Sequence, residues 1–284
     1  MPLPDFLCIG AQKAGTTTLY EYLAHHPEIY VPEQKELNFF NVASTYKKGK
    51  DWYEKEFFSP EKIGKARRIG EITPGYFAHP EAPARLVESL GNKLRLIVLL
   101  RDPVKRAFSH YLMLKKVGRI RSSFLKALEA DEPLPKGKGF VEKGLYYEQF
   151  QRYLEFFSLD DLFIMKFEDF VGNPKEQLKG LYRFLSVEEE EVNEGEQQAN
   201  KGSSPAFPGG EVIYKKTPMM DRIRNFVKKR PVLEEKLRKL LLKESPKITD
   251  KELQEAYSTY FRSDIERLEH ANILPFSIDD WHHP

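Results

Sequence analysis

Residues 7–19 read LCIGAQKAGTTTL, an apolar run that reaches Gly10 and continues as G-x-x-x-x-G to Gly15. This spacing constrains the chain more than any other feature. Two glycines that far apart let backbone N–H groups turn toward a phosphate, and the arrangement requires a strand before the loop and a helix after it. A nucleotide triphosphatase follows the second glycine with Lys and then Ser or Thr; the lysine reaches the outer phosphates and the hydroxyl holds Mg²⁺. Here Thr16 and Thr17 follow Gly15, and the lysine stands inside the loop as Lys13. The set of N–H groups, Lys13 and two hydroxyls suits an anion less charged than a triphosphate, bound without a metal. Thr16 and Thr17 are expected to cap the following helix and to donate to the phosphate.

The apolar pattern extends this unit into a layered fold. DFLCIG (5–10) reads as a strand, and TTTLYEYLAHH (16–26) sets Leu19, Tyr20 and Leu23 at helical spacing before Pro27 ends it. RLIVLL (95–100) is an uninterrupted apolar run of the kind buried on both faces of a parallel sheet. RDPVKRAFSHYLMLKK (101–116) then predicts a helix with Pro103 near its start. GLYYEQFQRYLEFF (144–157) predicts a further helix and DLFIMKF (161–167) a further strand. The expected fold is α/β: a P-loop-like three-layer domain with a mostly parallel central sheet, helices on both faces, and a helical C-terminal part from about Pro218. In that part, 248–271 is the longest expected helix. Stretches 40–60 and 197–218 read as loops. All 284 residues are read as one domain, 1–284.

Charge and composition narrow the classes. The formal net charge is +2, so no global field points to nucleic acid. Basic runs at 114–121, 135–143 and 215–230 and an acidic run at 187–196 are either solvated faces or the lining of an entrance for an anionic ligand. The single cysteine, Cys8, excludes internal disulfides and is expected in the core. No apolar run is long enough to span a bilayer and no secretory leader is evident, so a cytoplasmic location is expected. Arg101 ends a strand just before Asp102 and Pro103, which places a guanidinium and a helix dipole at one anion site. The alternative there is a local ion pair between Arg101 and Asp102.

The loop with these further motifs resembles the sulfotransferases that use 3′-phosphoadenosine-5′-phosphosulfate (PAPS), and most resembles the heparan-sulfate N- and 3-O-sulfotransferase type and its bacterial relatives. Lys13-Ala14-Gly15-Thr16-Thr17, with Thr18, is similar to the family's 5′-phosphosulfate loop. Arg101-Asp102-Pro103 through Ser109 is similar to its 3′-phosphate motif, which implies that Arg101 and Ser109 grip the 3′-phosphate. Ala199-Asn200-Lys201-Gly202-Ser203 sits where the family has a late loop over the same group, which adds Lys201 and Gly202. Lys35 through Phe40, Lys48 through Tyr53 and Gly70 through Tyr76 resemble acceptor-side segments.

The resemblance implies sulfonate transfer to an acceptor hydroxyl, in line with the departing phosphate. Lys13 would neutralise the leaving oxygen, the product would be adenosine-3′,5′-bisphosphate (PAP), and Glu36 would be the base. Glu71 is the second candidate for a catalytic carboxylate. Asn38 replaces the histidine of many bacterial relatives, and Ile72 replaces the family's lysine, which weakens the case for a highly anionic glycan. A carbohydrate, a small alcohol and a hydroxyacyl chain on a carrier protein all remain as acceptors. Two other classes stay open: a nucleotide or nucleoside kinase with a degenerate loop, and a non-catalytic adenosine-bisphosphate-binding module. Against the kinase, no acidic metal residue ends a following strand. The oligomeric state is left open.

Overall fold

Phe6–Gly10 forms β1, and every one of its residues is buried, as a strand in the middle of a parallel sheet requires. The computed structural model describes residues 3–134, 136–190 and 246–283. The helix α1 (Thr16–His25) follows β1, and then comes β2 (Ile29–Tyr30). Three short helices, α2 (Ala43–Tyr46), α3 (Lys50–Phe57) and α4 (Pro60–Ile63), precede β3 (Arg68–Ile72). After α5 (Ala82–Leu90) come β4 (Arg95–Leu100), α6 (Pro103–Lys116), α7 (Phe124–Glu129) and α8 (Tyr146–Leu154). The edge strand β5 (Leu162–Lys166) leads into α9 (Phe167–Gly172) and α10 (Pro174–Leu185). Past the undescribed stretch lie α11 (Asp250–Ala256) and α12 (Arg262–His270).

The strands form one five-stranded sheet in the order β2-β3-β1-β4-β5, and all pairs are parallel. The chain moves one way from β1 to β2 and the other way from β3 to β4. Right-handed crossovers then put the connecting helices on opposite faces. Ring contacts agree: Tyr22 of α1 meets Phe170 of α9 at 6.2 Å, and His26 meets Tyr182 of α10 at 4.7 Å. On the other face Phe77 packs on Phe150 of α8 at 5.0 Å. The expected mostly parallel α/β architecture is the one observed, with β2 and β3 added to the three strands that the apolar runs predict. The order reverses around β1, so the carboxyl ends of β1, β3 and β4 open onto a common crevice, where α/β sheets bind ligands.

Two expectations change. Residues 40–60 are mostly helical rather than a loop, because Phe39, Phe40, Tyr46, Trp52, Tyr53 and Phe57 pack as one aromatic cluster, with Phe39 and Tyr53 stacked at 4.4 Å. Apolar burial there overrides a polar local composition. The expected helix over 248–271 is interrupted at Tyr257–Phe261 by a turn of wider π-type pitch that buries Tyr257 and Phe261. The expected loop at 197–218 lies outside the described residues. Cys8 is fully buried, and burial pushes its thiol up to about 12.

Phe6 of β1 lies opposite Gly70 of β3, and a Cβ at Gly70 would come within 2.4 Å of the Phe6 ring. Gly70→Ala is therefore expected to overpack the sheet and cost about 1–3 kcal/mol, read as a fall of several degrees in the thermal midpoint. At Gly172, where a Cβ would meet nothing within 4 Å, the same substitution should leave the midpoint nearly unchanged.

Candidate active site

The loop from Ala11 to Gly15 is shaped by backbone geometry. The Ala11 N–H donates to the Leu99 carbonyl at 2.7 Å, which ties the loop to the end of β4. Lys13 and Gly15 both have positive φ, 74° and 88°. A side chain at Gly15 would also meet the Phe167 ring at 2.9 Å, so glycine is required there twice over. Gly15 is the N-cap of α1, and no side chain caps that helix. The expected capping by Thr16 and Thr17 is thus corrected. Both lie inside the first turn, because the left-handed Gly15 starts the helix one residue earlier than a threonine cap would. Thr16 is buried, Thr17 is exposed and Thr18 half-buried. The Thr17 hydroxyl accepts from Lys35 Nζ at 2.6 Å. The positive end of α1 is left without a side-chain acceptor, as an anion site needs.

Cations surround this helix end. Arg101 Nη1 donates to the Lys13 carbonyl at 3.2 Å, its guanidinium lies 4.6 Å from the Phe167 ring centre, and its Nε has no partner. The alternative ion pair with Asp102 is not formed. Asp102 instead caps α6, accepting from the Val104 and Lys105 N–H groups, and its other oxygen meets Lys105 Nζ at 3.1 Å and His283 Nε2 at 2.8 Å. Arg106, fully buried, donates through Nη2 to the Gly139 and Phe140 carbonyls, while Nε and Nη1 lack partners. Lys143 Nζ donates to Gln12 Oε1 in the loop at 3.0 Å.

Burial, with Arg101 next, holds the Lys13 ammonium below its ordinary pKa; Glu36 opposes the fall, and Lys35 and Arg106 add to it. Burial also lowers Arg106 to about 10. His110 is pushed down to about 3 by burial, then Arg106, Lys143 and Lys13, which leaves it neutral at pH 7. No described carboxylate forms an ion pair with Lys13, Arg101, Arg106 or Lys143. Among the described residues no cluster of His, Cys, Asp and Glu is placed to hold a metal ion.

Glu36 occupies the rim of the same crevice. Its N–H donates to the Ile72 carbonyl at the end of β3, and its carbonyl accepts from Asn38 Nδ2 at 2.6 Å. Glu36 and Asn38 have positive φ, 59° and 54°, a conformation that non-glycine residues hold at functional turns when the surroundings compel it. The Glu36 carboxylate is 44% exposed and lies 3.8 Å from Lys35 Nζ. Glu71 is its opposite, 1% exposed. Tyr53 and Tyr76 hydroxyls donate to Glu71 Oε1 at 2.7 and 3.0 Å, and the Thr73 hydroxyl donates to Oε2 at 2.9 Å. Burial raises Glu71 to about 7 even against those three hydrogen bonds. Ile72 is buried and brings no charge to this side. Trp52 stacks within the aromatic cluster, with Lys48 Nζ 4.0 Å from its ring centre.

The structure therefore brings Lys13, Ala14, Gly15, Arg101 and Glu36 to one end of the sheet, with Ser109 half-buried on α6 nearby in sequence. Lys201 and Gly202 lie outside the described residues. Lys35 and Arg106 lie inside motifs that gave them no role, and Gln12 and Lys143 join the site without one. The only sequence signal for Lys143 is its place at the end of the basic run 135–143.

A family model, the sulfotransferase domain, matches residues 3–249. The chain belongs to the sulfotransferase family. Among curated proteins it is 44% identical over 109 residues to the membrane-associated sulfotransferase kil1 of Dictyostelium discoideum, covering 38% of this chain and 22% of that protein. It is 32% identical over 198 residues to the mouse bifunctional heparan sulfate N-deacetylase/N-sulfotransferase 4, covering 65% of this chain and 22% of that protein. The mouse heparan sulfate glucosamine 3-O-sulfotransferase 5 is 29% identical over 194 residues, 65% of this chain and 54% of that protein. The chain thus matches about a fifth to about half of the length of these relatives. A sulfotransferase from Alicyclobacillus acidocaldarius shares the fold, with a TM-score of 0.70, 22% identity and 99% of each chain covered. For a sulfotransferase the kinase alternative falls away. No described helix is long and apolar enough to cross a membrane.

The buried Glu71 carries a pH signature. Its folded pKa, about 7, lies above the ordinary carboxylate value of 4.5. Between those values the folded state holds a proton that the unfolded state has lost, so the stability Glu71 contributes is full below 4.5 and declines as pH rises to 7. Glu71→Gln should remove that decline, on the order of 3 kcal/mol, when thermal midpoints of the two proteins are compared from pH 4.5 to 7.5.

Proposed function

We propose that this sulfotransferase transfers a sulfonate from PAPS to an acceptor hydroxyl, with Lys13 and the α1 N-terminus on the donor phosphate and Glu36 as base. One observation carries the reading: Lys13, Arg101 and Lys143 gather on the loop that leads to an uncapped helix N-terminus, with Arg106 in the same field, none forms an ion pair with a described carboxylate, and Glu36, 44% exposed, acts on both lysines. Buried charge of one sign calls for an opposite charge. The orphaned Arg101 Nε and the N–H groups of the loop fit a bound nucleotide phosphate, so the residues present suit this donor.

The bound donor would supply a sulfonyl group joined to a 5′-phosphate, a good leaving group. Lys13 and the N–H groups of α1 hold that phosphate and neutralise the charge that grows on its oxygen as the bond to sulfur breaks. Arg101 and Ser109 hold the 3′-phosphate, the group to which the family resemblance also assigns Lys201 and Gly202. Glu36 takes the acceptor's proton as the new oxygen–sulfur bond forms. Asn38 fixes the Glu36 carbonyl and hence the turn that presents the carboxylate. Glu71, sealed among three hydroxyls, supports this turn from beneath rather than facing the acceptor. No metal enters the scheme. The heparan sulfate named for two of the relatives makes carbohydrates the first acceptors to try, and carrier-bound hydroxyacyl chains the second.

PAP should raise the thermal midpoint without added metal, and more than ATP with Mg²⁺ does, because a ligand that binds only the folded state stabilises it. Arg101→Ala should weaken PAP by roughly 1.5–3 kcal/mol while changing AMP, which lacks the 3′-phosphate, far less. A larger shift with ATP and Mg²⁺ would overturn the donor assignment.

Glu36→Gln keeps the shape and removes the proton acceptor. Turnover of labelled PAPS with an acceptor found by screening should fall roughly 10²–10⁴-fold, with PAP affinity nearly unchanged. Lys13→Ala should lower both affinity and turnover, since Lys13 contacts the donor before and during transfer. PAP binding with no turnover on any acceptor in the panel would favour a non-catalytic binding module instead.

A further inference from the structure

Resting on that donor assignment, we propose that Lys143 grips the sulfonate itself, as a second cation beside Lys13, so that the protein distinguishes sulfonated donor from desulfated product. Lys143 sits in the short turn Glu142–Gly144 ahead of α8. Gly144 packs so closely on the start of α6 and on Phe261 that a Cβ there would meet Phe261 at 2.9 Å and Pro103 at 3.2 Å, which pins the turn. Gly139, with φ of 70°, leaves room for the aliphatic stem: a Cβ at that position would meet Lys143 Cε at 2.8 Å. The stem passes close against Gly139, and its Nζ donates to Gln12 Oε1, one residue before Lys13.

Among the described residues no carboxylate forms an ion pair with this ammonium. Asp131 and Glu142 lie near enough to act on it, but both are engaged elsewhere. The Asp131 oxygens accept from the Lys138 and Phe140 N–H groups, and Glu142 Oε2 accepts from the Leu134 N–H, each at 2.6 Å. Arg106 from α6 repels it, Glu36 attracts it, and His110 faces it as a neutral ring. Burial and then Arg106 lower the Lys143 ammonium to about 8, with Asp131, Glu142 and Glu36 opposing. Glu36 acts on Lys13 as well, so both lysines lie in the field of the carboxylate assigned as base. The phosphates have their own partners in the α1 N-terminus, Lys13 and Arg101. The group between phosphate and base is the sulfonate. Ile72 supplies no charge from the β3 side. In the transfer the acceptor oxygen bonds to sulfur as the sulfur–oxygen bond to phosphate breaks. The electron pair goes to the phosphate oxygen near Lys13 and the proton to Glu36, while Lys143 stays on the non-bridging sulfonate oxygens.

The test needs no acceptor: affinities of PAPS and PAP are measured for the wild type, Lys143→Met and Lys143→Arg, from pH 7 to 9. The methionine variant should lose roughly 10- to 100-fold in PAPS affinity, the worth of a charged hydrogen bond, and keep PAP affinity within about threefold. In the wild type the preference for PAPS over PAP should fall by up to about tenfold between pH 7 and 9 as the Lys143 proton is lost. In the arginine variant, which stays charged, that preference should be retained and independent of pH. Equal losses for PAPS and PAP in Lys143→Met, or an unchanged pH dependence in Lys143→Arg, would overturn the assignment of Lys143 alone. A wild type that binds neither nucleotide would overturn the donor reading, and Lys143's role with it.

Discussion

Mutual repulsion among the cations at the carboxyl end of β1 and β4 is the constraint on which the site depends. Lys13, Arg106 and Lys143 each lie below their ordinary pKa, and His110 is held neutral, because burial and neighbouring positive charge act in the same direction. Such a group of charges persists only where the fold compels it. The compulsion comes from neutral oxygens, three of the backbone and one of a side-chain amide. The Gly139 and Phe140 carbonyls hold Arg106, the Lys13 carbonyl holds Arg101, and the Gln12 amide holds Lys143. Each partner is neutral, so each fixes position without discharging the field. The α1 N-terminus, uncapped at Gly15, adds its dipole to the same point. An anion bound there would relieve the repulsion, so affinity for the proposed nucleotide and preorganisation of the site would have one origin.

The Glu71 side is built on the opposite principle, a buried carboxyl group that burial raises to a pKa of about 7 and that hydroxyl donors enclose. Glu71 gathers Tyr53 from α3, and Tyr76 and Thr73 from just past β3, into one hydrogen-bonded group. Tyr76 also accepts from the Phe39 N–H at 3.0 Å, and Phe39 stacks on Tyr53. The segment that carries Glu36 is thereby clamped on both sides: its own N–H bonds to β3, and the aromatic cluster follows it. A satisfied buried network of this kind rigidifies what rests on it. That support lets Glu36 hold a left-handed backbone conformation at an exposed rim.

The C-terminal residues complete the donor side from outside the sheet. Trp281 is fully buried, Asp280 pairs with Lys166 at the end of β5, and His283 reaches Asp102 beneath α6. Because Asp102 is spent on the α6 cap and on His283, it forms no ion pair with Arg101. The last turns of the chain thus help keep the arginine next to Asp102 available to a ligand.

The sequence by itself determined the contiguous parts. The Gly10–Gly15 loop, the helix after it, the run RLIVLL and the arginine that ends it are legible because each is a local pattern: a period, a glycine spacing, a proline near a helix start. The left-handed turn at Glu36 has no sequence signal. The tertiary structure alone decided the rest. The cap of α1 moved to Gly15 because a single φ angle sets where a helix begins. Residues 40–60 became helical because aromatic burial outweighs local polarity. Glu71 became buried because Tyr53 and Tyr76 close over it. Above all, Arg106 and Lys143 join Lys13 only through crossovers that bring distant segments to one sheet end. A cation's role depends on the field around it, and that field exists only once the chain has folded.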